Sequence, residues 1–180
     1  MMRLYIDTST LLSKYIANDP YSEESAEISM LTNVKKIGSY FTVVELFSTI
    51  SRLTKTKKLQ IAVESNKFSS EKLVKLLVAY ILKDWEIYIP PYSEDIVTVS
   101  LDGIDFLISR DLYSALQYST FTKLKTLDNI HIAIASNIHK RFFELNYFVT
   151  NDSGILNRRS IIKKHAKIEI VNPSELLELL

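Results

Sequence analysis

The chain has 180 residues, 47% of them apolar and 24% charged, with a formal net charge of +1 and no cysteine. This composition fits one globular domain with a sizeable core and excludes extensive disorder. The missing thiols exclude disulfides, thiolate metal sites and a cysteine nucleophile, and so small a net charge leaves any nucleic-acid contact to a local patch.

In chain order, MRLYI over residues 2–6 reads as a buried strand. Ser9 or Thr10 then offers a hydroxyl cap to a helix through LLSKYIA, which places Asp7 on the strand-to-helix turn. SEESAEISMLTN carries its acids early, as a second helix does, and IGSYF over 37–41 reads as the next strand. From Thr42, VVELFSTISRL has helical spacing, with Val43, Leu46, Phe47 and Ile50 on one face and Glu45 beside them. KLQIAVESN is a short helix by the same criterion, and SSEKLVKLLVAYILKDW starts at a Ser-Ser-Glu cap.

EIYIPPY reads as a strand stopped by Pro90 and Pro91, and SEDIVTVSL and FLISRDLYSALQYS as further helices. LDNIHIAIASNIHKR is a long helix with Asp128 in its first turn. NYFVT is a strand ending at Thr150, followed by Asn151 and Asp152. KIEIV and PSELLELL close the chain as a strand and a helix with Pro173 in its first turn. The alternation implies an α/β fold, a three-layer α/β/α sandwich around a mainly parallel sheet, in a single domain over residues 1–180 with a helical insertion over 92–123. With three Gly and four Pro, loops are expected to be short and there is no linker. MMRLYID turns polar too early for a secretory signal and LVKLLVAYIL is too short to span a bilayer, so the expectation is a cytoplasmic protein without a membrane partner.

In open α/β sheets the ligand crevice lies beyond the carboxyl ends of the strands, and Asp7 and Asp152 both follow apolar strands. Glu45 lies between apolar neighbours, where an unpaired carboxylate is costly and a cation is a natural partner. Each acid alone has a plainer role: Asp7 in a turn, Asp128 as a helix cap, Asp152 in an Asx-turn, Glu45 paired with Arg52 or Lys55. Two strand ends and two helix starts, however, converge at one rim of such a sheet. Clustered oxygen ligands without Cys favour Mg²⁺ or Mn²⁺ over Zn²⁺.

YIDTSTLL, FTVVELFSTI, LDNIHIAIA, FVTNDSGIL and the closing IVNPSELL occur in one order, and with these motifs the sequence resembles the PIN-domain ribonucleases, in particular the toxin-like, VapC-type members of toxin–antitoxin pairs. The similarity lies in residues 1–54 and 124–180. The resemblance implies that Asp7, Glu45, Asp128 and Asp152 bind divalent metal and catalyse hydrolysis of RNA phosphodiester bonds, with Ser9 and Thr150 supporting the acids. It also implies an endoribonuclease with a cognate antitoxin and a homodimeric state. His131, one turn after Asp128, is read as a packed, hydrogen-bonded residue rather than a ligand.

KTKK, with Lys57 and Lys58, and RRSIIKKH, with Arg158 and Arg159, are the basic runs placed to border the crevice and hold an RNA backbone. The apolar residues of 92–123 read as extra core packing, with a partner surface as the alternative. A haloacid-dehalogenase-like phosphatase also begins with a strand and an Asp, but its second Asp is replaced here by Ser9. The remaining alternative is a catalytically silent PIN-like module that binds RNA or protein.

Overall fold

A computed structural model describes residues 1–56, 59–61, 68–91 and 95–180. Lys57 and Lys58, and most of the helix expected over 58–66, lie outside the described residues. The described elements run β1 (Met2–Ile6), α1 (Thr8–Ser13), α2 (Ser22–Met30), β2 (Val34–Ile37), α3 (Tyr40–Thr56), α4 (Ser70–Asp84), β3 (Ile96–Leu101), β4 (Ile104–Ser109), α5 (Arg110–Thr122), α6 (Thr126–Arg141), β5 (Tyr147–Val149), α7 (Ser153–Leu156), α8 (Arg159–Ala166), β6 (Ile170–Val171) and α9 (Pro173–Glu178).

The main sheet has the order β2-β1-β5-β6 with every pair parallel. Both of its faces are buried, as parallel sheets require, and the alternation of side chains along β1 divides the core in two. Leu4 and Ile6 join one apolar cluster with α1, α2, α3, α4 and α9, while Tyr5 joins the other with α5, α6 and α8. Phe148 and Val149 of β5, and Ile170 and Val171 of β6, divide in the same way. The result is the expected three-layer α/β/α sandwich around a parallel sheet.

The chain leaves β1 toward β2 on one side and returns to β5 on the other, so the strand order reverses between β1 and β5. A crevice forms at such a switch point, beyond the carboxyl ends of the two strands.

Three expectations are corrected. The strand expected over 37–41 ends at Ile37, because Ser39 opens a helix: its hydroxyl accepts from the Thr42 amide (3.2 Å) and its own amide donates to the Thr42 hydroxyl (3.1 Å). EIYIPPY contributes only the parallel bridge of Tyr88 to Ile37, with the Gly38 amide donating to the Tyr88 carbonyl (3.0 Å). That approach needs Gly38, since a Cβ there would stand 2.9 Å from the Ile87 side chain.

The helices expected within 93–109 are instead the antiparallel hairpin β3–β4, and only α5 is helical. Its two-residue turn, Asp102-Gly103, has φ of 49° and 81°. An Asp-Gly pair takes positive φ readily, and the flanking Ile, Val and Thr favour strands over a helix. The hairpin is fastened at its base through Asp95, whose carboxylate pairs with Arg110 (3.1 Å) and with Arg141 of α6 (2.6 Å). Among the described residues no helix is long and apolar enough to cross a membrane.

Two cations, one of them buried, hold the helices on the first face. Lys36 of β2 donates to the carbonyls of Ser29 (2.5 Å) and Leu31 (3.0 Å), capping the negative end of α2. Lys14, just after α1, donates to the carboxylate of Asp84 at the end of α4 (2.5 Å), which also accepts from the Tyr15 hydroxyl (2.5 Å). Burial raises the Asp84 pKa, but the hydrogen bonds from Lys14 and Tyr15 and the charges of Lys14 and Lys36 outweigh it and hold the carboxyl below its usual range.

A carboxylate depressed in this way stabilises the fold above its unfolded pKa of about 4, and the contribution is lost as pH falls through the folded value. We expect Asp84→Asn to lower stability at pH 7 by about 1–2 kcal/mol, a fall in Tm of roughly 3–6 °C. The difference between variant and wild type should shrink when the melts are repeated below about pH 4.

Candidate metal centre

Asp7 is the residue that follows β1, and its amide extends the sheet ladder to the Val149 carbonyl of β5 (3.0 Å). Its side chain is buried and receives two hydroxyl donors on one oxygen: Ser9 Oγ to Oδ2 at 2.6 Å and Thr150 Oγ1 to Oδ2 at 2.8 Å. The hydroxyl of Ser9 is therefore committed to the carboxylate and not to the expected capping of α1, whose N-cap residue is Asp7 itself. Neither hydroxyl reaches Oδ1, which has no hydrogen bond to a described residue.

Glu45 comes from the second turn of α3. Its Oε2 lies 2.9 Å from His131 Nε2 of α6, and the buried imidazole is held on its other side by the Tyr5 hydroxyl, 3.1 Å from Nδ1. The ring meets Tyr5 and Phe41 edge-on, with centroids 6.3 Å and 5.5 Å away. Burial raises the Glu45 pKa, but the hydrogen bond and charge of His131, with Thr8 and Arg52, outweigh it and keep the carboxyl low. Burial likewise lowers the His131 pKa, and Glu45, Asp7 and Asp128 together reverse the sign and raise it. Thr8 Oγ1 is buried without a hydrogen-bond partner, although it stands close enough to Glu45 to lower its pKa.

The ligating atoms of Asp7, Glu45 and His131 all lie within 4.8 Å of one another. Asp128 and Asp152 stand outside that trio; the charge of Asp128 acts on His131, and that of Asp152 on Asp128. The Asp128 pKa is raised, first by burial and then by the negative charges of Asp152 and Asp7, against a weaker opposing pull from Lys125.

Asp128 is not the helix cap expected from the sequence, because the N-cap of α6 is Lys125. Asp152 is a cap: its Oδ1 accepts from the Ile155 amide at the start of α7 (3.1 Å). Gly154 makes room for that carboxylate, since a Cβ at this position would lie 2.9 Å from Asp152 Oδ1. Thr150 completes the frame, accepting from the Asp152 amide (3.0 Å) while donating to Asp7.

The sequence placed the four acids at one rim but missed three contributors. Tyr5 and Thr8 were hidden in the apolar strand and the helix start. His131 is packed and hydrogen-bonded as expected, yet its ring nitrogen is one of the three clustered donor atoms. The motif LDNIHIAIA contained the residue; its partner Glu45, 86 positions earlier, was the missing information.

Of the basic residues, Arg159 is engaged by Glu175 of α9 (2.8 Å), and Glu175 is itself part of the capping box of that helix with Asn172. Arg158 is exposed at the N-cap of α8, two residues beyond α7.

No family model and no curated protein matches the sequence. Among solved structures, the chain is similar to one described as the 2.2 Å structure of VapBC-1 from nontypeable Haemophilus influenzae, with 11% identity and a TM-score of 0.53, covering 96% of this chain and 99% of that one. At this identity the likeness is one of fold, and it agrees with the three-layer α/β/α architecture described above.

Carboxylates gathered in a partly dry crevice repel one another, so removing one charge should relieve the metal-free protein. We expect Asp128→Asn to raise Tm in EDTA by roughly 2 °C, less than about 1 kcal/mol because the site is partly solvated. An unchanged or lower Tm would mean that the acids do not burden the fold.

Proposed function

We propose that this chain is a divalent-metal-dependent endoribonuclease that hydrolyses RNA phosphodiester bonds at the carboxyl ends of β1 and β5. The observation that carries the reading is the convergence of the Asp7, Glu45 and His131 donor atoms within 4.8 Å, with the charges of Asp128 and Asp152 acting on the same crevice. The donor set fits a divalent cation: carboxylate oxygens dominate, the chain has no thiolate, and the unpartnered Thr8 hydroxyl stands at the edge of the cluster.

In this reading Asp7, Glu45, Asp128 and Asp152 hold Mg²⁺ or Mn²⁺. The bound cation would neutralise phosphate charge, lower the pKa of a water and favour in-line displacement. The protein's own part is orientation. Ser9 and Thr150 saturate Oδ2 of Asp7 and leave Oδ1 for the ligand, and the Ile155 amide does the same for Asp152 through its Oδ1. Arg158, close in sequence to Asp152, is the better of the two arginines for a backbone phosphate, because Arg159 is already paired.

By the resemblance of its motifs the chain would act as a toxin with an antitoxin as protein partner and assemble as a homodimer, and the likeness of fold to VapBC-1 agrees with the first of these roles. It is also compatible with a cytoplasmic location.

The test is cleavage of a mixed RNA pool by the purified protein in Mg²⁺, Mn²⁺ or EDTA, beside Asp7→Asn and Asp152→Asn variants whose fold is checked by circular dichroism. We expect metal-dependent cleavage that falls in both variants by at least roughly a hundredfold, as loss of several kcal/mol of charge stabilisation requires. A folded wild type that neither cuts nor gains Tm with metal would instead be a silent binding module.

A further inference from the structure

The hydrogen-bond donors around His131 can be followed atom by atom. The Tyr5 hydroxyl has one proton, and it is donated to Ser39 Oγ at 3.0 Å. With its proton on Ser39, the Tyr5 oxygen faces Nδ1 of His131, 3.1 Å away, as an acceptor, an arrangement that suits an imidazole with its proton on Nδ1. Ser39 is fixed in turn by Thr42, whose hydroxyl lies 3.2 Å from Ser39 Oγ.

This places the second ring nitrogen, Nε2, opposite Glu45 Oε2 at 2.9 Å and within the 4.8 Å group that includes Asp7. At that distance the two atoms share a proton or flank a cation, and the donor oxygen of Asp7 stands within reach of the same point. The arrangement on the far side of the ring, with Nδ1–H donated to a fixed oxygen, is the one that orients a histidine to coordinate a metal. The ring cannot swing away, because Tyr5 and Phe41 close on its edges and its side chain is only 3% exposed.

We propose that His131 Nε2 coordinates the cation directly, together with carboxylate oxygens of Asp7 and Glu45, so that the centre prefers a first-row transition ion to Mg²⁺. This rests on the metal centre assigned above and departs from it by adding a nitrogen to a set of oxygens. Mg²⁺ takes oxygen ligands and keeps much of its water, whereas an imidazole nitrogen suits transition ions. Asp128 and Asp152, outside the tight trio, are left to ligands held at longer range or through water.

The test is electron spin-echo spectroscopy of the full chain loaded with Mn²⁺, alone and after labelling of histidine with ¹⁵N, beside calorimetric titrations with Mn²⁺ and Mg²⁺. We expect a nitrogen modulation that changes on labelling, a Kd for Mn²⁺ at least about tenfold below that for Mg²⁺, and loss of both in a folded His131→Gln variant. The wild-type spectrum needs no variant, so a misfolded His131→Gln does not blunt the test. Mn²⁺ bound without a histidine signal would overturn this inference while leaving the metal centre standing. Failure of both ions to bind at millimolar concentration would overturn the two readings together.

Discussion

The pairing of β1 with β5 governs the rest of the molecule. These two parallel strands are neighbours only because the chain sends β2 to one side of β1 and brings β5 back on the other. The reversal leaves no connecting loop over their carboxyl ends, and it sets Asp7 beside Thr150 and Asp152 although more than 140 residues separate them. Every group at the crevice is positioned relative to this pair: α1 starts from Asp7, α7 from Asp152, and Thr10 returns a hydrogen bond to the Val149 carbonyl (3.3 Å). α3 and α6 bring Glu45 and His131 over the edge.

The same pairing explains the electrostatics. Charges that would be screened at a surface are gathered where apolar layers exclude much of the water, and each is then tuned by its neighbours. Asp7 is met by hydroxyls, Glu45 by imidazole, Asp152 by a helix amide, whereas burial and two like charges act on Asp128 to raise its pKa. Four acids at one rim thus have four distinct environments. Such differences between adjacent carboxyl groups are characteristic of sites that bind cations or move protons.

Much of this was legible in the sequence because its signals are local. An apolar run ending in Asp and then hydroxyls gives β1, Asp7 and α1; the same grammar gives β5 and Asp152; Pro173 gives the first turn of α9. Contacts that join distant segments were not legible. Nothing near Glu45 announces His131, and nothing near Tyr5 announces that its hydroxyl would hold that ring. The hairpin β3–β4 differs from the expected helices for another reason. The apolar content of this stretch suits a helix or a strand, and the Asp102-Gly103 turn is what fixes its period at two. Similarly, the edge of β2 moved because Ser39 and Thr42 exchange capping bonds across a stretch whose composition suits a strand.

The hairpin has a consequence of its own. Among the described residues its two strands pair only with each other, and Ile96, Leu101, Ile104 and Leu107 all remain exposed. A two-stranded ribbon of this kind draws little stability from itself and much from its anchorage. Part of that anchorage converges on one partly exposed carboxylate, Asp95, so the ribbon is expected to open more readily than the parallel sheet. Its amides should exchange with solvent far ahead of those of β1 and β5, and its length and sequence are free to drift without disturbing the crevice. In this chain, the segment with the most freedom to change is thereby separated from the segment with the least.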